Sequence, residues 1–175
     1  MTKTSISVIT FAVLLGASSA SLATSVRPMA LADIAKEATR IVHGTVSEQQ
    51  SGRDEHGLPA TWTTVVVGEC LKGNVTERVT IKQYGVQKPL ADGTLMPVQG
   101  GPALEVGSEV VLFLRADSAL GFTSPVGFSQ GVYRVQGKGA RSVVQSADMR
   151  SPIHPLDGFL KQVRQFVAGD TTYRK

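Results

Sequence analysis

A pentapeptide in the second half of the chain has the spacing of a serine-hydrolase nucleophile. Gly127-Phe128-Ser129-Gln130-Gly131 matches the pattern G-x-S-x-G, and Asp148 and His154 follow it in the order acid and then histidine. This order assigns Ser129 as nucleophile, His154 as base and Asp148 as the residue that orients it. The pattern requires a strand, a sharp turn and a helix, whereas Val132-Tyr133-Arg134-Val135 alternates like a strand. We therefore predict a turn that enters a strand, and a small serine esterase is the alternative function.

Metal and cofactor chemistry is not indicated by the remaining reactive residues. His43, His56 and His154 lie far apart in the chain, and no paired spacing of histidine or cysteine is present. Cys70 is the single cysteine, so the chain has no intrachain disulfide. We predict that Cys70 is a small buried side chain at the end of a strand. No metal site and no cofactor are expected.

Two segments are predicted to be the binding loops. The first is Glu48 to Pro59, in which the polar stretch from Glu48 to Gly57 predicts a long hairpin loop or two frayed strand ends. The second is Gly85 to Ala103, which is rich in proline and glycine without apolar periodicity. The candidate binding residues on these loops are Arg53, Asp54, His56, Lys88 and Gln99.

A third hypothesis is a glycan or small-ligand site on the sheet. Such a site would use Trp62 and Tyr84, because exposed aromatic rings stack on sugars. Burial in the core is the expected fate of Trp62.

The first residues have the order of a secretory leader. Lys3 precedes an apolar run from Ile6 to Gly16, and small residues follow at Ala20 and Ala23. A membrane-spanning helix needs about twenty apolar residues, so cleavage after Ala23, or alternatively after Ala20, is expected rather than a membrane anchor. We predict a signal peptide over 1–23 and a periplasmic or extracellular location.

Length and charge favour one domain that does not bind nucleic acid. Removing 1–23 leaves about 150 residues, enough for one core, which we place at 24–169 with a flexible tail at 170–175. The formal charge of +4 becomes +3 when Lys3 is removed, because 17 cations then face 14 anions. These cations are scattered rather than arranged in a basic stripe.

Apolar periodicity predicts a mainly β chain between two helices. Gly44 interrupts the first strand and indicates a bend or bulge, and Val110 to Leu114 is apolar throughout, which indicates burial on both faces. The last three predicted strands, from Leu120 onwards, are expected to form a meander. The predicted helices are about 29–38 and 156–167, and the predicted strands are 40–46, 61–71, 79–84, 110–114, 120–126, 132–136 and 142–145.

Several short motifs resemble a group of small exported bacterial proteins. They include Asp33-Ile34-Ala35, the segments from Ile41 to Val46 and from Val65 to Gly73, the segment from Gly107 to Leu114, and Gly127 with Gln130 to Val135. That group is similar to the netrin-like module of tissue inhibitors of metalloproteinases. The resemblance implies an OB-type fold, here a small closed antiparallel barrel of about five or six strands. The amino-terminal cysteine and the disulfides on which inhibition by those proteins depends are missing here.

These observations lead to one main functional prediction. The chain is expected to be a secreted or periplasmic, non-enzymatic binding module that contacts another exported protein, for example a protease, through its two loops. Its oligomeric state is left open.

Overall fold

The computed structural model describes residues 27–169. The predicted signal peptide and the predicted tail at 170–175 therefore lie outside the described residues. Within 27–169 the chain forms two α-helices and seven β-strands, with short 3₁₀ turns at Phe128–Gly131 and Gly139–Arg141. In chain order the elements are α1 (Leu31–Glu37), β1 (Arg40–Arg53), β2 (Pro59–Lys72), β3 (Arg78–Tyr84), β4 (Glu109–Leu114), β5 (Val132–Gln136), β6 (Val143–Ser146), β7 (His154–Pro155) and α2 (Leu156–Val167).

All seven strands belong to one antiparallel sheet, and its strand order is β3-β2-β1-β4-β5-β6-β7. The mainly β fold with a helix at each end is thus confirmed. The expected closed barrel of about five or six strands is not present in residues 27–169, because the edge strands β3 and β7 do not pair with each other.

The reason for the open sheet lies at its two edges. Loop residues occupy the free edge of β3: the N–H of Gln99 donates to the carbonyl of Tyr84 at 2.7 Å, and the N–H of Thr123 donates to that of Lys82 at 2.8 Å. At the other edge β7 is only two residues long, and its Pro155 has no N–H to donate.

Gly44 produces the bulge that the sequence predicts in the first strand. The register between β1 and β2 shifts at His43/Gly44 and at two further places. A Cβ atom on Gly44 would lie 2.2 Å from the carbonyl oxygen of Val66, so only glycine allows the two strands this close approach. The bulged β1 pairs with β2 on one side and with β4 on the other.

The sheet buries apolar side chains on both faces, and β4 shows this most clearly. Val111 and Phe113 face the helices, whereas Val110, Leu112 and Leu114 join the second core on the opposite face. Each of these five side chains is at most 1% exposed, so the predicted burial of this strand on both faces is confirmed.

Helix α2 begins and ends as predicted and packs on the sheet of its own chain. Its buried residues are Leu156, Phe159, Leu160 and Val163, which form one core with buried residues of α1, β4 and β5. At the surface, the Arg164 guanidinium donates two hydrogen bonds of 2.8 Å to the Glu69 carboxylate on β2. No helix in residues 27–169 is long and apolar enough to cross a membrane.

The structure corrects the predicted limits of the first binding loop. Polar residues from Glu48 to Arg53 continue β1, because cross-strand hydrogen bonds compensate their polarity. The Gln49 amide donates to Thr63 Oγ1 at 3.1 Å, and Ser51 Oγ lies 3.0 Å from Thr61 Oγ1. The loop is therefore reduced to a tight turn at 54–58.

The strand predicted at 120–126 is also wrong, as is the meander that contained it. Only an isolated bridge between Pro125 and Leu114 forms there, and Gly121 has a positive φ of 74° in a turn closed by a hydrogen bond to Ser118. This backbone conformation suits glycine in a turn and interrupts extended structure.

Two side chains expected in the core lie elsewhere. Trp62 is half-buried and lies opposite Lys82, on the other face of the sheet from the buried Thr61 and Thr63. Cys70 is half-buried rather than buried, with Sγ 3.4 Å from the carbonyl oxygen of Lys72.

Candidate functional site

The turn between β1 and β2 is organised by one carboxylate. Oδ1 of Asp54 accepts hydrogen bonds from the N–H groups of His56 at 2.9 Å and Leu58 at 2.8 Å. The Asp54 N–H also donates to the carbonyl of Leu58 at 2.9 Å. An aspartate that caps the backbone of its own turn in this way gives the turn one preferred conformation.

The other carboxylate oxygen of Asp54 forms an ion pair with a buried lysine of β3. Oδ2 lies 2.9 Å from Nζ of Lys82, and the two side chains are 0% and 10% exposed. Nζ also donates to the carbonyl of Leu120 at 2.8 Å and lies 4.5 Å from the centre of the Phe122 ring. Lys82 therefore holds the turn at 54–58 and the segment around Leu120 against the edge of the sheet.

The pKa of Asp54 is lowered by this environment. Burial by itself raises the pKa of the carboxyl, but the hydrogen bond from Lys82 and those from the backbone of Leu58 and His56 outweigh it. Asp54 is thus ionised at neutral pH and forms an ion pair with Lys82.

A second ion pair connects the turn with the long loop. The Arg53 guanidinium donates to Asp92 Oδ2 at 3.0 Å and 2.6 Å, and to Thr94 Oγ1 at 2.8 Å. Hydrogen bonds from Thr94 and then from Arg53 hold the pKa of Asp92 well below its usual value. The turn and the loop are consequently joined at one end of the sheet. We call this combined region, residues 54–58 and 85–107, the loop surface.

Two adjacent depressions lie on the loop surface and share Gln87. The larger is an apolar groove of about 450 Å³, lined by Val86, Gln87, Leu95, Pro97, Val98 and Ala103. The smaller is a pocket of about 260 Å³, to which β1 contributes Gln49 and Ser51 and the loop contributes Gln87, Lys88, Pro89, Leu90 and Val106.

The side chains around these depressions are unusual in two respects. Leu95 and Val106 are 63% and 60% exposed, although both are large and apolar. Nε2 of Gln87 is buried without a hydrogen-bond partner in residues 27–169. Exposed apolar groups next to an unpaired amide are typical of a surface that makes contact with another molecule.

The five predicted binding residues have different environments. Arg53 and Asp54 hold the loop surface together through the two ion pairs described above. His56 is exposed at the turn, with Nε2 3.7 Å from Oε1 of Glu55. Lys88 lines the smaller pocket, whereas Gln99 is exposed and donates from its amide to the carbonyl of Pro97 at 2.8 Å.

The three residues of the esterase hypothesis do not form a hydrogen-bonded triad. Ser129 lies in the 3₁₀ turn that precedes β5, so the strand expected after Gly131 is present. Asp148 and His154 line one cavity, but Asp148 accepts its hydrogen bonds from Ser146 Oγ and from the N–H of Arg150. Among residues 27–169, no hydrogen bond joins Ser129, Asp148 and His154 to one another.

Clusters of metal-ligating side chains do not occur in the described part of the chain. In residues 27–169 there is no group of three or more His, Cys, Asp or Glu side chains placed to hold a metal ion.

Sequence reasoning missed Lys82, Asp92 and Gln87 as determinants of the loop surface. Lys82 gives no signal of burial in the sequence, because it lies on the face of its strand opposite Val79 and Ile81, and its partner Asp54 is far away in the chain. Nothing in the pattern around Asp92 or Gln87 identifies their contacts.

No protein-family model matches the chain, and a search of curated proteins found no significant relative. The fold and the site therefore rest on the chain's own geometry.

Proposed function

We propose that this chain is an exported, non-enzymatic binding module that contacts another exported protein through the loop surface. The observation that supports it is the apolar groove with Leu95 exposed at its side, next to a pocket that contains an unpaired amide. A preorganised surface of this kind lowers the entropic cost of association.

The two ion pairs support the same proposal. Asp54 with Lys82 and Arg53 with Asp92 join the turn to the sheet and the loop to the turn. An exposed ion pair such as Arg53 with Asp92 contributes little to the free energy of unfolding. Positioning of the loop therefore accounts for the geometry of this pair better than global stability does.

The proposal also includes export of the protein and a fold related to the netrin-like module. The leader-like order of residues 1–23 supports export, and the bulged β1, which pairs on both sides, is compatible with a strongly coiled OB-type sheet. Cleavage of the leader is tested by determining the amino terminus of the protein recovered from the exported fraction.

Site-specific photo-crosslinking in the native organism tests the proposed contact. A benzophenone amino acid is introduced at Leu95 or at Val106, and a matched control variant carries it at Ile153, which is 60% exposed. We expect one discrete adduct from Leu95 and Val106 and none from Ile153. The Asp92→Asn variant, which frees the loop, should weaken the adduct. An absent adduct, or the same adduct from all three positions, contradicts the proposal.

A second candidate function, binding of a glycan, is favoured by the composition of the smaller pocket. Gln49, Ser51 and Gln87 bring neutral amide and hydroxyl groups together, which is the chemistry that recognises sugar hydroxyls. Thermal-shift measurements with oligosaccharides test it. A stabilisation that disappears in Gln87→Ala would support glycan binding, and the absence of any shift would exclude the sugars used.

The esterase alternative has a simple separate test. Purified protein is assayed on a short-chain chromogenic ester, and Ser129→Ala is the comparison. Turnover that this substitution abolishes would replace the binding proposal by a hydrolytic function.

A further inference from the structure

A cavity of about 290 Å³ lies between the helices and the sheet and shares no residue with the loop surface. Helix α1, strand β5, strand β7, helix α2 and the turn after β6 all contribute to its wall. Its size is at the lower end of the range for ligand pockets, about 300–1,000 Å³, and therefore suits a small ligand. The lining residues used below are Leu31, Ile34, Tyr133, Asp148, Arg150 and Phe159.

Tyr133 forms part of the wall of this cavity. The residue is 4% exposed, and within residues 27–169 its hydroxyl neither donates nor accepts a hydrogen bond. Burial, together with the charge of Asp148, raises the pKa of Tyr133 to about 12, so the hydroxyl is protonated at neutral pH. The hydroxyl can therefore donate a hydrogen bond to a ligand in the cavity.

The turn that follows β6 carries two side chains of opposite charge, Asp148 and Arg150. Oδ1 of Asp148 accepts from Ser146 Oγ at 2.6 Å and from the N–H of Arg150 at 3.1 Å, whereas Oδ2 makes no hydrogen bond within residues 27–169. Arg150 is exposed, and its guanidinium likewise has no partner in that part of the chain. The wall of the cavity thus offers one free carboxylate oxygen and one free guanidinium.

The remaining wall is apolar and aromatic. Leu31 and Ile34 of α1 lie on one side, and Phe159 of α2 packs against Tyr133 with the ring centres 4.6 Å apart. Such a wall favours an aliphatic or aromatic group of small size.

We infer that this cavity binds a free α-amino acid with an apolar side chain. Its ammonium group would pair with Asp148, its carboxylate would accept from Arg150 and from the Tyr133 hydroxyl, and its side chain would lie against Leu31, Ile34 and Phe159. Adjacent groups of opposite charge at the edge of an apolar cavity match a zwitterion and disfavour a ligand with only one of the two charges. This site is separate from the one proposed for the protein partner.

Calorimetric titration and NMR chemical-shift perturbation with L-phenylalanine test the inference. We expect binding with a Kd of about 1 mM or tighter, with the largest shifts at residues that line the cavity. L-Phenylalaninamide, which lacks the carboxylate, and 3-phenylpropionate, which lacks the ammonium group, should each bind about tenfold more weakly. Each lost charge-assisted hydrogen bond is expected to account for a factor of this size.

Three variants show whether the named groups are responsible. Asp148→Asn and Arg150→Gln should each weaken binding of L-phenylalanine about tenfold, and Arg150→Gln should leave the affinity for phenylalaninamide unchanged. Tyr133→Phe should weaken it several-fold while the fold, checked by circular dichroism, persists. Asp157→Asn, at an exposed position of α2, is the control and should bind as the unaltered protein does.

Three outcomes would overturn the assignment. They are no shift at the cavity residues with about 10 mM L-phenylalanine, equal affinity for the amino acid and its amide, and unchanged affinity in both charge variants. None of them depends on the protein-binding role of the loop surface, which the crosslinking experiment tests separately.

Discussion

Nζ of Lys82 lies 2.9 Å from Oδ2 of Asp54, and these two side chains, 10% and 0% exposed, come from β3 and from the turn that joins β1 to β2. The ion pair joins the turn at 54–58 to β3, and Nζ of Lys82 donates a hydrogen bond to the carbonyl of Leu120. This relationship determines the shape of one end of the sheet, and the first prediction tests it.

Lys82→Met should strongly destabilise the protein. The substitution removes the ammonium group and leaves the Asp54 carboxylate buried without a counter-charge, which is more damaging than losing the pair as a whole. We expect the Tm to fall by about 10 °C, measured by calorimetry.

Two further variants make this prediction specific. Lys161→Met changes an exposed lysine of α2 and should leave the Tm almost unchanged. The double variant Asp54→Asn with Lys82→Met removes both charges and should recover part of the lost stability. If the double variant is less stable than Lys82→Met, the ion pair does not act as described.

Asp92→Asn should free the long loop without unfolding the domain. The substitution removes the negative charge that pairs with the Arg53 guanidinium. An exposed ion pair of this kind contributes little to the free energy of unfolding, so the domain should stay folded. Hydrogen exchange should therefore become faster in residues 85–103 and stay unchanged in β4.

The same contact has an expected pH dependence. Because the pKa of Asp92 is lowered, its stabilising contribution is complete above the usual pKa of 3.8 and is lost as the pH falls further. Protection of the loop at pH 5 should thus equal that at pH 7. Loss of protection between these two values in the unaltered protein would be inconsistent with this ion pair.

Tyr133 should make the protein less stable in strong alkali. Its pKa is raised from 10.0 to about 12, so the folded state retains the proton where the unfolded chain loses it. The contribution of Tyr133 is complete below pH 10 and decreases as the pH rises to 12, by about 3 kcal/mol in total. Denaturant unfolding at pH 8 and pH 11 measures about half of this decrease, and the change should be smaller in Tyr133→Phe.

Gly44→Ala should destabilise the sheet by about 3 kcal/mol. The new Cβ would lie 2.2 Å from the backbone oxygen of Val66, and a backbone atom cannot move away without disturbing the pairing of β1 with β2. Gly68→Ala on β2 is the matched control, since its Cβ would be 3.7 Å from the nearest atom, the carbonyl oxygen of His43. Equal stability of the two variants, measured by denaturant unfolding, would argue against the close approach at Gly44.

Local patterns predicted the elements whose periodicity is strong. Helix α2 follows from apolar residues at helical spacing between Pro155 and Gly169, and the bulge at Gly44 follows from a glycine among β-branched residues. The strand predicted at 120–126 failed because a turn at Gly121 interrupts it.

The candidate site was predictable only as a pair of loops. Residues 54–58 and 85–103 are loops in both the prediction and the structure, and the predicted binding residues Asp54 and Lys88 lie on them, whereas Arg53 ends β1. Their contacts were not predictable, because Asp92 lies far from Arg53 in the chain and a side-chain pairing at that separation leaves no periodic trace in sequence.

The amino-acid sequence by itself determined the mainly β character, the terminal helices and the turn-then-strand arrangement at Ser129. Each depends on interactions within a few residues, which local periodicity and turn chemistry reveal. The tertiary structure alone decided that the sheet stays open, that Lys82 is buried beside Asp54, and that Tyr133, Asp148 and Arg150 meet around one cavity. These features depend on contacts between distant segments, whose geometry is set by packing and desolvation of the whole chain rather than by neighbouring residues.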